Sequence, residues 1–314
     1  MPVPVYVLIA ACGQPRLLRR TLASLAGCEK PAGYGGVIVA ENGPRAWLAD
    51  IVAEFDPRYQ FQHVYSEPPN KSLALNRAIE PLGDALIVFT DDDVQVTSAT
   101  LIAYAAAAGG RTRGEFYGGP IVPDYEGSPP PSWLAPLLPR SAAGWRLAVD
   151  RKTEVFRGEF IGPNMAAFAA DLLAVGGFDT SLGPGSHMPS PGEDTEIQER
   201  LLARGVRGFY VPDAAIHHFV REANATVEFA LHRAERNGVY WGIRQARQPA
   251  FYPRGWLKAS GQWLNDKLRI ARWRRSGDSL LQVKADYVEA RWRGRWDGIR
   301  LARSLAPAAK RRAA

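Results

Sequence analysis

Three consecutive aspartates stand directly after a short apolar run of the chain. Asp91, Asp92 and Asp93 follow Ala85–Phe89, whose composition predicts a buried strand. Adjacent carboxylates repel one another, and a divalent cation offsets that repulsion. Oxygen ligands suit Mg²⁺ or Mn²⁺, and such an ion can neutralise the charge of a departing diphosphate. The triplet therefore predicts a metal-assisted site for an anionic substrate, with a solvated acidic turn as the alternative.

A second acidic group opens a predicted helix after a loop rich in Gly, Pro and Ser. Glu193 and Asp194 lie in its first turn, where a carboxylate acts as a helix cap or as a general base that the helix N-terminus keeps ionised. Two histidines, His217 and His218, end a later extended segment. Histidines are more often structural, but beside carboxylates they can complete a metal shell. The residues alone leave both interpretations open.

Alternating strand and helix patterns place these groups on a sheet. Short apolar runs separated by helices are typical of a parallel sheet covered on both faces, and ligands bind such sheets at the carboxyl ends of the strands. The pattern predicts strands at Val3–Ile9, Gly36–Glu41, Gln60–Tyr65, Ala85–Phe89 and Gly208–Val211, and helices at Arg16–Leu25, Ala46–Phe55, Ser72–Ile79 and Asp194–Ala203. It also predicts an extended segment at Glu115–Val122, a long surface loop at Pro123–Pro139 and mainly helices from Val227.

The sequence lacks the glycine-rich loops of two common nucleotide-binding classes. No Gly-x-Gly-x-x-Gly follows the first strand and no Gly-x-x-x-x-Gly-Lys-Ser/Thr occurs, which argues against a dehydrogenase and a P-loop NTPase. We find no signal-peptide pattern around Val3–Cys12 and no apolar run of the roughly 18 residues that a spanning helix needs. Cys12 and Cys28 are the only cysteines, and we expect them to pack in a reducing, cytoplasmic compartment.

Charge is distributed unevenly along the 314 residues. Residues 251–314 contain sixteen Lys/Arg and five Asp/Glu, a net charge of +11, so the remainder carries −4 of the total of +7. The same segment holds five of the nine tryptophans. A mildly acidic body with a basic, Trp-rich tail predicts two parts with different partners.

Taken in order, these motifs resemble the pattern of glycosyltransferase family 2 on the GT-A fold, over about residues 3–240. The matching segments are Val7–Gly13 at the first strand and turn, Glu41-Asn42, Lys71-Ser-Leu-Ala-Leu-Asn76, the aspartate triplet, Gly162-Pro-Asn164-Met-Ala-Ala-Phe168 with Gly176-Gly-Phe-Asp179, Glu193-Asp194, and His217-His218. Two positions depart from the family. The first turn lacks Pro-Thr/Tyr-Asn, and Leu75 stands where relatives that contact the base have Arg.

The resemblance implies a role for each matching residue. It implies a divalent metal, Mn²⁺ or Mg²⁺, held mainly by Asp93, with Asp91 and His218 or His217. It implies Asp194 as the catalytic base, with Glu193 as the alternative, and Asn164 on the acceptor side. The residues implied to bind the nucleotide-sugar are Ala11, Glu41, Asn42, Lys71, Asn76, Asp91 and Asp92. The implied reaction moves a sugar from a nucleoside-diphosphate sugar to an acceptor hydroxyl, with inversion.

The resemblance also implies a domain organisation. A GT-A catalytic domain, with an α/β sheet that is mostly parallel, occupies residues 1–225. Its nucleotide-sugar-binding half spans residues 1–110 and its acceptor-binding half residues 111–225. A helical extension occupies residues 226–314. The implied acceptor is a saccharide or a lipid-linked molecule, in the synthesis of a cell-surface polysaccharide or glycolipid.

The tail carries an apolar stripe at helical spacing. Its members are Leu281, Val288, Trp292, Trp296 and Ile299, with arginines beside them, and Trp256 and Trp263 form a similar pair. One interpretation is that the stripe packs on the body. The other is peripheral binding to the anionic cytoplasmic face of a membrane. A non-catalytic protein that binds nucleic acid or nucleotide through the tail is the competing function, but the acidic body and the helical spacing argue against nucleic acid as a partner.

Overall fold

The computed structural model describes residues 2–43, 47–55, 57–187, 190–247 and 254–311. The chain divides into two compact units. The first, here called the α/β unit, comprises Met1–Glu126, Arg140–His187 and Glu193–Val220. The second, here called the helical unit, comprises Gly127–Pro139, Met188–Gly192 and Arg221–Ala314.

Strands and helices alternate through the first half of the chain, and helices follow. The strands are β1 (Val5–Ala11), β2 (Tyr34–Asn42), β3 (Phe61–Ser66), β4 (Leu86–Asp91), β5 (Val94–Val96), β6 (Glu115–Gly118), β7 (Ile121–Tyr125), β8 (Thr153–Val155), β9 (Met165–Phe168), β10 (Arg207–Tyr210) and β11 (Ile216–Val220). The helices are α1 (Pro15–Gly27), α2 (Ala49–Ala53), α3 (Lys71–Ile79), α4 (Thr100–Ala108), α5 (Arg140–Ala143), α6 (Ala169–Ala174), α7 (Glu193–Ala203), α8 (Val227–Arg247), α9 (Arg254–Arg275) and α10 (Ser279–Arg311).

The larger sheet has the order β3-β2-β1-β4-β9-β6-β10-β8. Strands β3, β2, β1 and β4 are parallel, β9 runs antiparallel to both β4 and β6, and β8 runs antiparallel to β10. A smaller sheet has the order β5-β11-β7. The predicted α/β class with a mostly parallel central sheet and C-terminal helices is confirmed.

The central strands are apolar because both of their faces are covered. Along β1, Val7 and Ile9 pack in the hydrophobic cluster on one face, whereas Leu8 packs in the cluster on the other. Along β4, Val88 and Phe89 divide in the same way. This burial on both faces produces continuous apolar runs rather than an alternating pattern, as expected for parallel strands under helices.

The largest correction to the predicted elements concerns Glu115–Val122. This segment is two strands, β6 and β7, which Gly119-Pro120 separates and which belong to different sheets. The surface loop predicted from Pro123 therefore begins only after Tyr125. A proline is tolerated within β7 because this strand lies at the edge of the smaller sheet. The helix predicted at Ala46–Phe55 is shorter, at Ala49–Ala53, and Ala46 lies outside the described residues.

In the helical unit, α8 and α10 approach closely along four glycines. A Cβ atom at Gly238 or Gly242 of α8 would lie 2.3 or 2.1 Å from a carbonyl oxygen of α10. A Cβ atom at Gly294 or Gly298 of α10 would likewise lie 1.9 or 2.1 Å from a carbonyl oxygen of α8. The four-residue spacing in each helix places the two glycines on one face. Backbone therefore packs directly on backbone between α8 and α10.

The apolar stripe predicted on the tail lies on α10, and part of it is buried. Trp292 is 7% exposed and Ile299 is 2% exposed. The indole of Trp292 donates a hydrogen bond to Asp266 of α9 at 2.8 Å. Trp256, the first member of the second predicted pair, has a side chain outside the described part of the structure.

Within the described residues, no helix combines the length and apolarity needed to cross a bilayer.

Candidate active site

The three aspartates at the carboxyl end of β4 have three different partners. Asp91 accepts a hydrogen bond from the ammonium of Lys71 at 2.8 Å. Asp92 is buried, and its carboxylate accepts from the backbone amide of Cys12 at 3.1 Å. Burial raises the pKa of Asp92 to about 7, and the charges of Asp93 and Asp91 add to the effect. Asp92 therefore ties the end of β4 to the end of β1.

Asp93 faces a histidine on the smaller sheet. His218 pairs with Val94 across β5 and β11, and the amide of Phe219 donates to the carbonyl of Asp93 at 2.9 Å. This pairing leaves His218 Nε2 3.6 Å from Asp93 Oδ1. His217 is exposed on the opposite face of β11, because side chains alternate along a strand. Of the two predicted histidines, the structure brings only His218 to the aspartates.

Lys71 lies among carboxylates from two other elements. The side chain of Asn70 caps α3 by accepting from the amide of Leu73 at 2.9 Å, which fixes Lys71 in the first turn. Its ammonium contacts Asp91 and lies 3.8 Å from Glu193. Burial disfavours the charge of Lys71, but Asp91, Glu193 and then Asp194 hold its pKa above the usual value. Lys71 is thus a cation fixed at the carboxyl edge of the sheet.

The two predicted base candidates differ in environment. Glu193 is 7% exposed, and burial, with the charge of Asp194, raises its pKa against the opposing effect of Lys71. Asp194 is less buried than Glu193. Its Oδ2 accepts from the amide of Gly162 at 2.9 Å, and its Oδ1 accepts from the amide of Thr195 at 2.7 Å. These amide donors orient the Asp194 carboxylate, and each oxygen has a second lone pair for another donor.

A buried glutamine supports this arrangement. Gln198 of α7 is fully buried, accepts from the amide of Phe160 at 3.0 Å and donates to its carbonyl at 2.8 Å. The same side-chain amide also contacts the carbonyl of Asp194 at 2.8 Å. Gln198 therefore holds the chain that leads to Gly162 against the first turn of α7. The sequence analysis missed this residue, whose only signal is a polar side chain on the apolar face of α7.

Glu41 lies at the carboxyl end of β2, and its side chain makes hydrogen bonds inside the protein. Its side chain is fully buried, and its two oxygens accept from the amides of Trp47 and Leu48 at 3.0 and 3.1 Å. His63 Nε2 lies 2.6 Å from one of them. The carboxylate therefore holds the segment after β2, and leaves Trp47 with 55% of its surface exposed. Direct nucleoside contact by Glu41 stays a prediction, and both of its carboxylate oxygens accept hydrogen bonds inside the protein.

Three asparagines that are predicted to contact donor or acceptor form hydrogen bonds with the protein backbone. Asn42 donates a hydrogen bond to the carbonyl of Ala11 at 3.2 Å, and both of these predicted nucleotide-sugar-binding residues are buried. Asn76 exchanges two hydrogen bonds with the backbone of Phe178, at 2.9 and 2.7 Å. Asn164 donates to two backbone carbonyls and accepts from Tyr104 at 2.7 Å. Each of these amides thus makes hydrogen bonds within the protein, and contact of the three residues with donor or acceptor stays a prediction.

The residues around Asp93 fit a divalent cation. Asp93 Oδ1 and His218 Nδ1 are buried and lack a hydrogen-bond partner among the described residues. A buried carboxylate oxygen without a donor is costly, and a cation satisfies it. No group of three His, Cys, Asp or Glu side chains converges as a complete metal shell in the described part of the chain. An incomplete shell suits Mg²⁺ or Mn²⁺, which bind through one or two carboxylates and take further oxygens from substrate phosphates.

Together, the sheet order, the carboxylates at its edge and the Asp93–His218 pair define the class of GT-A α/β proteins. The family model described as glycosyltransferase-like family 2 matches residues 2–238, and the chain belongs to this family. The succinoglycan biosynthesis protein ExoM of Rhizobium meliloti is 29% identical over 225 residues, which cover 70% of this chain and 69% of ExoM. The chain is therefore a glycosyltransferase by family.

Solved structures of low identity share the fold. The mannosyltransferase PcManGT from Pyrobaculum calidifontis, in complex with GDP-Man and Mn²⁺, aligns with a TM-score of 0.55 at 18% identity, over 97% of this chain and 88% of that one. S. aureus TarS 1–349 in complex with UDP aligns with a TM-score of 0.53 at 13% identity, over 98% and 92%. GalNAc-T7 with UDP, GalNAc and Mn²⁺ aligns with a TM-score of 0.54 at 15% identity. The alignment covers 78% of this chain but only 51% of GalNAc-T7.

Proposed function

We propose that this protein transfers a sugar from a nucleoside-diphosphate sugar to an acceptor hydroxyl, with inversion at the anomeric carbon. The observation that carries the proposal is the convergence of Lys71, Asp91 and Glu193 with Asp194 at the carboxyl edge of the sheet. A cation, a metal-binding carboxylate nearby and an oriented carboxylate are the groups that such a displacement needs. Residues 1–110 would bind the donor and residues 111–225 the acceptor, with the helical extension following from residue 226.

Asp194 is the proposed general base. As the acceptor oxygen forms its bond to the anomeric carbon, the proton of the hydroxyl passes to Asp194. The bond between the anomeric carbon and the diphosphate oxygen breaks, and the diphosphate leaves with the electron pair. Glu193 is less suited to this role, because it is more buried and lies 3.8 Å from the ammonium of Lys71. Asp194 is the better base because two backbone amides orient it.

Lys71 is the proposed contact for the donor diphosphate. Its charge is desolvated and fixed, so it would stabilise negative charge without reorganising as the diphosphate leaves. Asp93 and His218 would hold Mn²⁺ or Mg²⁺, and Asp91 would support them. When bound, the ion neutralises part of the charge of the diphosphate. The complexes of PcManGT with GDP-Man and Mn²⁺ and of GalNAc-T7 with UDP and Mn²⁺ support this choice of donor and ion.

Trp47 is the proposed contact for the nucleobase. Its backbone amide donates to Glu41 at the carboxyl end of β2, and its exposed indole offers a flat face. Glu41 holds the backbone at Trp47 through one hydrogen bond. The position of the aromatic ring is therefore set by a buried carboxylate, which gives Glu41 an indirect part in donor binding.

The acceptor is proposed to be a saccharide or a lipid-linked saccharide, in the assembly of a polysaccharide or glycolipid. The similarity to ExoM, a succinoglycan biosynthesis protein, supports this class. A lipid-linked acceptor requires the enzyme to work beside the cytoplasmic face of a membrane.

The surface that fits an anionic membrane lies on α9 rather than on the stripe of α10. Leu257, Leu264 and Leu268 are 74%, 55% and 65% exposed, and their spacing of seven and four residues places them on one face. Arg272 and Arg275 continue the same face and are exposed. Apolar side chains flanked by arginines suit the headgroup region of a membrane, where each basic residue contributes about 1 kcal/mol. We define these five residues as the α9 face.

The donor proposal is tested by thermal shift with UDP, GDP, dTDP and CMP, each with and without Mn²⁺. We expect one nucleoside diphosphate to raise the melting temperature in the presence of Mn²⁺ and much less after chelation. Asp93→Asn should abolish the Mn²⁺-dependent part of the shift. It should also lower turnover at least ~10²-fold, the scale of a lost electrostatic contact in a transition state.

The matched control is Asp84→Asn. Asp84 is exposed, pairs with Arg113 at 3.3 Å and lies before the opposite end of β4. This variant should behave as the wild type. The proposal fails if no nucleotide shifts the melting temperature in either condition, or if Asp93→Asn retains full Mn²⁺ dependence. The anomeric configuration of the transferred sugar, read by NMR, tests inversion separately.

A further inference from the structure

The helical unit contains a cavity that the sugar-transfer chemistry does not use. Its volume is about 690 Å³, within the range typical of small-molecule sites, and side chains of α8, α9 and α10 line it. Among the residues that the structure describes, its charged lining consists of Arg244 from α8, Asp266 from α9, and Arg291 and Arg295 from α10. Three cations and one anion of this described lining thus face a single cavity.

The single carboxylate is already engaged. Asp266 Oδ1 pairs with Arg269 at 2.6 Å, and Asp266 Oδ2 accepts from the indole of Trp292 at 2.8 Å. Arg269 does not line the cavity. Asp266 therefore serves to position α9 and Trp292, and in the described part of the chain it forms no ion pair with Arg291 or Arg295.

Neutral groups orient Arg295. Its Nε donates to the side-chain oxygen of Gln245 at 2.9 Å, and its Nη1 lies 3.5 Å from the side-chain oxygen of Gln262. The guanidinium also covers the ring of Trp292 at 4.6 Å. A guanidinium has five N–H donors, so several remain for another acceptor. Amide oxygens and an aromatic face therefore fix the direction of this cation without neutralising it.

Arg291 adds a second cation one helical turn away. Residues four apart lie on the same side of a helix, so Arg291 and Arg295 repel each other. Burial, and then this repulsion, lowers the pKa of Arg295. Among the described residues, Arg291 forms no ion pair. Asp266 offsets part of this repulsion, and an anion bound between the two arginines would offset more of it.

We propose that this cavity binds a phosphate or diphosphate ester. Planar guanidinium groups match phosphate oxygens in pairs, and arginine is the preferred side chain for such recognition. The cavity is larger than a diphosphate group, and the exposed ring of Trp241 at its wall offers a surface for the esterified group. The ligand is either a soluble phosphate ester or the headgroup of a phosphorylated lipid.

The test is calorimetric titration of the full-length protein with inorganic pyrophosphate and with farnesyl diphosphate, in chelator so that metal-dependent binding in the α/β unit is suppressed. We expect saturable binding that Arg291→Gln and Arg244→Gln each weaken at least ~10-fold. Comparable affinity for the two probes assigns the site to the phosphate group alone. At least ~10-fold tighter binding of farnesyl diphosphate assigns it to a lipid headgroup.

The matched control is Arg300→Gln, which removes the same charge from an exposed position of α10 outside the cavity. It should bind both probes as the wild type does. Unchanged melting temperatures establish that the variants are folded. The proposal is overturned if neither probe binds the wild type, if Arg300→Gln weakens binding as much as Arg291→Gln, or if both cavity variants bind as tightly as the wild type.

Discussion

The ammonium of Lys71 and the carboxylate of Asp91 form an ion pair of 2.8 Å that joins the first turn of α3 to the end of β4. Lys71→Met would leave Asp91, Glu193 and Asp194 without their shared cation. We expect the free energy of unfolding to fall by about 3 kcal/mol, as is typical when one partner of a buried pair is removed. Chemical denaturation measures this value, and donor binding should weaken as well.

The control for this prediction is Lys267→Met in α9. Lys267 pairs with Glu289 at 3.1 Å, but its side chain is 42% exposed. A pair in solvent contributes about 1 kcal/mol or less, so this substitution should cost little. Equal losses for the two lysines would show that Lys71 is an ordinary surface cation.

Trp47→Ala tests the proposed nucleobase contact. Stacking of a base on an aromatic ring contributes about 1–3 kcal/mol, so we expect the Kd of the nucleoside diphosphate to rise about tenfold. Stability should change little, because Trp47 is largely exposed. Trp133→Ala is the control, since Trp133 is 40% exposed in the helical unit. Unaltered affinity of Trp47→Ala would remove this residue from the donor site.

The sequence predicts which end of the sheet carries the candidate site, but not which role each aspartate has there. Asp91, Asp92 and Asp93 follow an apolar run, so the sequence predicts their position at the edge of the sheet. Their separate partners, Lys71, Cys12 and His218, come from distant parts of the chain. Only the folded arrangement shows that Asp92 is a structural link while Asp93 keeps an oxygen without a partner.

The same reason explains why polar residues in matching motifs make internal contacts that the motifs do not predict. Asn76 and Asn164 have amide groups that suit a nucleotide or an acceptor, and their motif positions favour that interpretation. Their hydrogen-bond partners, which are backbone groups and the hydroxyl of Tyr104, lie between 44 and 102 residues away in the sequence. Such contacts leave no local pattern in the sequence. By contrast, the strands β1, β2 and β4 were predicted to within two residues at most boundaries, because their apolar runs record burial directly.

Gly242→Ala tests the close approach of α8 and α10. The added Cβ would lie 2.1 Å from the carbonyl oxygen of Arg295, so the helices must separate. We expect the helical unit to lose about 2 kcal/mol of stability, the scale of overpacking in a core. Gly261→Ala in α9 is the control, because a Cβ there has nothing within 4 Å. That substitution should raise stability by about 0.5–1 kcal/mol through helix propensity. Effects of the same sign would contradict the packing described.

The α9 face is tested by co-sedimentation with vesicles of phosphatidylglycerol and of phosphatidylcholine. The protein should bind the anionic vesicles and be released by high salt. The double substitution Leu264→Gln with Leu268→Gln should weaken binding at least ~10-fold, because it removes apolar area that enters the headgroup region. Leu173→Gln, at a position 42% exposed in the α/β unit, is the control. Binding that survives the double substitution would place the membrane contact elsewhere.

The central claim is that Asp194 takes the proton of the acceptor hydroxyl. The most direct measurement compares sugar transfer and donor binding in the wild type, Asp194→Asn and Asp213→Asn, an exposed carboxylate of the same unit. We predict that Asp194→Asn binds the donor nucleotide with nearly wild-type affinity but transfers sugar at least ~10²-fold more slowly, while Asp213→Asn is unaffected. Wild-type transfer by Asp194→Asn at saturating donor would contradict the assignment and leave Glu193 as the base.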